Sequence, residues 1–173
     1  MQVKTPCAEG KKLPSHCRAV LHPPPHDPAD TGRASRLLAA FSHSFRAAGG
    51  DPALLFLENV RTNDLKELTG IIAEQGFGVC PDTGHMLAYG QEGLSRNAFM
   101  LERTGLIHLN APCTVGTAGA HLPLTALDEA GRRCCEALVR GAPPAAVLVV
   151  ELFRWEDIER SLPLINTWLL PGA

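Results

Sequence analysis

Several features that would announce a functional class are missing from this sequence. Its six cysteines, Cys7, Cys17, Cys80, Cys113, Cys134 and Cys135, form no CxxC pair and no regular zinc spacing, which excludes a zinc ribbon or a dithiol redox motif. With 173 residues, 45% of them hydrophobic, the chain can bury a core without disulfide staples. The cysteines are therefore expected to be reduced and mostly packing, with Cys113 alone placed in a loop beside other candidate site residues. Positive charge is also scarce: 16 Lys and Arg against 18 Asp and Glu leave a net charge of −2. The basic face that grips a phosphate backbone is missing, so nucleic acid is not an expected partner. No apolar run reaches the roughly 18 to 20 residues of a membrane span, and no signal-peptide run opens the chain. A soluble, cytoplasmic protein with a small-molecule substrate and no membrane partner is the expectation.

What the chain does have is an alternation of short apolar runs with amphipathic stretches. Residues 1–17 carry Lys, Pro, Gly and Ser without periodicity and are expected to be irregular, and residues 18–173 are expected to form one domain. Five runs are strand candidates: Arg18 to His22, Ala53 to Glu58, Phe77 to Asp82, Leu106 to Asn110 and Ala145 to Glu151. Helices are expected from about Ala34 to Ala48, Leu65 to Gln75, up to about Arg103, Leu124 to Arg140 and Glu156 to Leu170. Gly49 and Gly50 should stop the first, and Asn63 or Asp64 should cap the second. Strands without polar alternation need cover on both faces, which points to an α/β fold of parallel strands.

Every run closes on a side chain that can bind a metal: His22, Glu58, Asp82 with His85, His108, and Glu151. The C-terminal ends of parallel strands share one side, so these residues should converge there. Against a background of 18 Asp and Glu and seven His, polar residues ending apolar strands by chance would give this pattern on the order of one time in a hundred, once the freedom in choosing strand ends is counted. Carboxylates mixed with imidazoles suit Zn²⁺, Mn²⁺, Co²⁺ or Fe²⁺ better than Ca²⁺. Such ions polarise a phosphoryl or carbonyl oxygen and generate hydroxide near neutral pH. His16, His26 and His43 lie outside this pattern and are read as packing or surface residues.

Glu58-Asn-Val, Asp82-Thr-Gly-His85, Ile-His108-Leu-Asn and Val-Val-Glu151-Leu, in that order, resemble the xylose-isomerase-like and endonuclease IV superfamily (AP endonuclease family 2). The resemblance implies an incomplete TIM-barrel-like (β/α) fold with about five βα units visible and the first two strands absent. It implies Glu58 as a bridging carboxylate, Asp82 with His85 as a ligand pair, and His108, Glu151 and His22 as further ligands. It also brings in His121 of His121-Leu-Pro-Leu. Glu58 and Glu151 are the implied catalytic groups, and Asn59 and Asn110 the substrate-binding ones. One departure concerns Gly119 and Ala120, which stand where the family usually has an aspartate.

The region from His121-Leu-Pro-Leu to Glu151-Leu-Phe-Arg-Trp resembles the cobamide-remodelling branch. The implied function is a divalent-metal-dependent hydrolase of a phosphoester or nucleotide-loop substrate. A sugar phosphate isomerase or epimerase, or a truncated scaffold without turnover, are the alternatives. An incomplete barrel would leave an edge strand near Arg18 open, so a homo-oligomer formed through that edge is expected.

Overall fold

The computed structural model describes residues 17–112 and 121–170. Five strands alternate with helices: β1 Ala19–Leu21, α1 Arg33–Ala47, β2 Leu55–Glu58, α2 Thr69–Gln75, β3 Gly78–Cys80, α3 Thr83–Ala88, α4 Ala98–Glu102, β4 Leu106–Leu109, α5 Glu129–Gly141, β5 Val147–Val150 and α6 Trp155–Leu169. Local chemistry sets several of these boundaries. Asp128 caps α5 by accepting from the Gly131 N–H at 2.8 Å, and Gly49 takes the left-handed φ of 83° just beyond α1. Between β2 and α2, the side chains of Asn63 and Asp64 accept from the Leu65 and Lys66 amides at 2.9 and 3.1 Å. These local bonds compete with helix formation. The helix expected from Leu65 accordingly begins only at Thr69, after a 3₁₀ turn over Lys66–Leu68.

All strand pairings are parallel. β1 pairs with β2 and β2 with β3, while β4 pairs with β5 in a separate sheet. The expected TIM-barrel-like (β/α) wall is therefore not what the chain forms. Its five strands are split into sheets of three and two, too few to close a barrel, which takes eight. Pro81 gives a physical reason for the split. It follows β3 directly and has no N–H to donate, so the β3–β4 seam holds only Val79 N–H to Arg103, Gly105 N–H to Val79 and His108 N–H to the Pro81 carbonyl. Both bridges across that seam are parallel. All five strands thus point the same way, and their C-terminal ends lie together.

β2 and β3 are fully buried, and β4 nearly so, with Leu57, Val79, Ile107 and Leu109 in the core beside Ile72 and Phe77. The two outer strands are not covered on both faces. β1 is largely exposed, and β5, the purest β segment in the sequence, has Val147 exposed and the rest half-buried. Among the described residues, no helix is long and apolar enough to cross a membrane.

Cys17, Cys80, Cys134 and Cys135 are free thiols. Burial first, and then the neighbouring Cys134, push the Cys135 thiol up to about 12. At pH 7.5 fewer than about one molecule in 10⁴ would carry its thiolate. Iodoacetamide should therefore alkylate the exposed Cys17 in native buffer and reach Cys135 only after denaturation. Peptide mass spectrometry checks this, and equal rates for the two thiols would contradict the burial.

Candidate metal centre

Four of the five strands, β2 to β5, each bring one side chain to the same point. Glu58 is the last residue of β2 and is buried, and Glu151 follows β5 directly. Asp82 lies past Pro81 and caps α3, its Oδ1 accepting from the His85 N–H at 2.7 Å. His108 sits inside β4. One ligand atom from each of Glu58, Asp82, His108 and Glu151 lies within 4.8 Å of all the others, a group that could hold a metal ion.

The distances allow a direct test of fit. His108 Nδ1 is 3.2 Å from Glu151 Oε2, 3.4 Å from Glu58 Oε1 and 4.0 Å from Asp82 Oδ2. Donors bound to one ion at about 2.0 to 2.2 Å stand roughly 3 to 4.4 Å apart in tetrahedral or octahedral geometry. Among the described residues, His108 Nδ1 and Glu151 Oε2 are both buried without a hydrogen-bond partner. Their 3.2 Å approach therefore does not satisfy either atom, and an unpaired buried polar atom is costly. A shared cation would resolve that cost, and the donor set could hold one.

Charge at the group is strongly partitioned. Burial pushes the Glu58 carboxyl up, but His108, with His22 and His85 adding to it, outweighs burial and holds it below the ordinary value. Burial raises the Glu151 carboxyl, and His108 and His121 recover only part of that shift. The Cys80 sulfur and then the Glu58 carboxylate push the His108 imidazole well above its ordinary value. Burial keeps the Cys80 thiol protonated at neutral pH, which leaves Glu58 as the charged partner of His108. An ion arriving at Nδ1 must displace a proton held more tightly than in free histidine. Binding is thus expected to release a proton and to tighten as pH rises, by up to about tenfold per unit. Calorimetry in buffers of different ionisation enthalpy measures that release, and a buffer-independent heat would contradict it.

Three further expected ligands surround the group without entering it. His22 Nε2 lies 2.9 Å from Glu58 Oε2, with its side chain 66% exposed. His85 Nδ1 donates to the Asn59 carbonyl at 2.9 Å, and His121 Nδ1 to the Glu151 carbonyl at 2.8 Å. A carbonyl only accepts, so Nδ1 of each ring carries a proton, the arrangement that leaves Nε2 as the nitrogen through which a backbone-anchored histidine ligates. The exposed Phe153 ring lies 5.2 Å from that of His121.

Asn59 and Asn110 are buried rather than open to a ligand. Asn59 Oδ1 accepts from the Asp82 N–H at 2.7 Å and its amide donates to Gln91 Oε1 at 2.8 Å. Asn110 donates to Asp82 Oδ2 at 2.9 Å. Both asparagines brace Asp82. Sequence reasoning missed their supports: Thr83, whose hydroxyl donates to the Asn110 carbonyl at 2.7 Å, and Gln91, which also donates to the Val60 carbonyl at 2.9 Å. Thr83 and Gly84 stood inside the Asp82-to-His85 motif, and that adjacency was the available signal. Cys113, Gly119 and Ala120 lie outside the described residues, as does the segment 1–16.

No protein-family model and no curated protein matches this chain.

Proposed function

We propose that the chain is a divalent-metal-dependent hydrolase of a small phosphoester, with the nucleotide loop of a cobamide as its narrower substrate. One observation carries the reading: four strands bring Glu58, Asp82, His108 and Glu151 together, with donor atoms mutually within 4.8 Å. Mixed carboxylate and imidazole donors suit Zn²⁺, Mn²⁺, Co²⁺ or Fe²⁺. When bound, such an ion supplies positive charge that polarises a phosphoryl or carbonyl oxygen and acidifies water.

The chain's own residues supply orientation and proton handling. Asp82, braced by two asparagines, and buried Glu58 fix the donor geometry. Glu151, with 35% of its side chain exposed against 5% for Glu58 and none for Asp82, is the carboxylate placed to exchange a proton with a substrate. Two carboxylates flanking His108 also fit proton shuttling, which makes a sugar phosphate isomerase or epimerase the second reading. Turnover of bis(p-nitrophenyl) phosphate, and release of the lower base from a cobamide, should depend on added Mn²⁺, Co²⁺, Zn²⁺ or Fe²⁺. Glu58→Gln should lower that turnover by about 10² or more. Solvent deuterium entering a sugar phosphate without hydrolysis would select the second reading. No turnover of any of these substrates with any ion would sink both and leave a non-catalytic scaffold.

A further inference from the structure

A cleft of about 410 Å³ is walled by the loop after β1, the segment between β2 and α2, and the turn after α3. Both of its carboxylates have a partner within it. Asp64 is paired with Lys66 at 2.6 Å and Glu67 with His26 at 2.9 Å, all four of them lining residues. Arg61 lines the same cleft, is exposed, and has no carboxylate within ion-pair reach among the described residues. Thr31, Thr62 and Tyr89 add exposed hydroxyls to the wall. We infer that this cleft binds a phosphate group, free or esterified.

The chemistry matches part by part. A guanidinium presents a planar fork that takes two oxygens of a phosphate, and this pairing is stronger than a neutral hydrogen bond. Hydroxyls supply further donors that turn to suit a tetrahedral anion. The wall that carries Arg61 is fixed in advance. Leu65 is fully buried at a left-handed φ of 66°, a conformation unfavourable for a non-glycine residue. Asn63 helps hold it there, accepting from the Leu65 amide at 2.9 Å and donating to the Pro24 carbonyl at 2.9 Å. The turn after α3 is held too, because Gln91 bonds both Asn59 and the Val60 carbonyl. The Tyr89 ring, 5.8 Å from that of His85, lines the cleft on the side of the turn after α3. None of the four metal-group residues lines the cleft, so the inference stands apart from the metal reading.

The test uses the full chain dialysed free of metal, titrated with inorganic phosphate and, separately, with glycerol 3-phosphate at constant ionic strength. Backbone amide shifts of residues 61–68 and 89–91 should saturate. Arg61→Gln should weaken binding by about tenfold or more, since it removes the charge and the fork together. Arg140→Gln, whose native side chain pairs with Glu136 on α5, should change nothing. Because Arg61 is exposed, an unchanged melting temperature confirms that its variant is folded. Saturation by inorganic phosphate alone would assign the site to the free ion, and saturation by the ester would assign it to a phosphorylated ligand. Shifts that fail to saturate, or a midpoint unaltered by Arg61→Gln, would overturn the inference.

Discussion

Replacing His108 by alanine is expected to weaken divalent-ion binding by more than about a hundredfold, beyond the 10- to 100-fold typical of losing an outer-shell partner. Nδ1 of this residue stands at 3.2 Å from Glu151 and 3.4 Å from Glu58. No other imidazole belongs to the four-residue group. The metal-free protein should suffer too, because His108 is the first of the groups that hold buried Glu58 in its charged form. Removing one partner of a buried charge pair costs about 3 to 5 kcal/mol. The side chain of His108 is 13% exposed, so some solvent screening places the expected loss at or below the lower end of that range. Calorimetric titration with Mn²⁺ or Zn²⁺, beside urea unfolding of the metal-free proteins, separates the two effects. Undiminished affinity would remove His108 from the donor set.

Gly84→Ala should produce the other large effect, opposite in sign to the usual helix rule. In an ordinary helix interior, alanine stabilises by roughly 1 kcal/mol over glycine. Gly84 lies in α3, but a Cβ built there would fall 1.8 Å from Asn110 Oδ1 and 2.9 Å from its Cγ. Asn110 is buried and donates to Asp82 Oδ2, so it can retreat only by abandoning that carboxylate. The variant should lose about 2 to 4 kcal/mol of stability, a cost typical of overpacking combined with a broken buried hydrogen bond. Its metal affinity should also fall, by about 10- to 100-fold. The Gly84→Ala, Asn110→Gly double variant relieves the clash without restoring the brace. It should therefore recover stability more than affinity. Full recovery of both would show that Asn110 has no part in positioning Asp82.

How much of this was legible in the sequence depended on the kind of signal. The runs carrying Glu58, Asp82, His108 and Glu151 could be read because each of these residues lies in the last part of a strand or just past it, and parallel strands gather their ends. The extent of the sheet could not be read that way. Pro81 was counted inside the third run, yet a residue without an N–H interrupts a ladder, and here it accompanies the division into two sheets. That single residue argued against a continuous wall. The left-handed Leu65 was equally hidden, since its conformation follows from the flanking Asn63 and Asp64 turns rather than from leucine itself. The substrate-binding role of Asn59 and Asn110 is implied by the resemblance alone. Their burial depends on tertiary packing around Asp82, which no local pattern reports. The Arg61 cleft has no local signature, because its walls come from three separate stretches of chain.

Metal analysis of the purified wild-type chain, loaded with Mn²⁺, Co²⁺ or Zn²⁺ and freed of excess ion, bears most directly on the four-residue group. One tightly held ion per chain is the predicted result, lost in both Asp82→Asn and His108→Ala. Less than about 0.1 ion per chain under every loading condition, or a stoichiometry that neither substitution alters, would contradict the assignment of Glu58, Asp82, His108 and Glu151 as a metal centre.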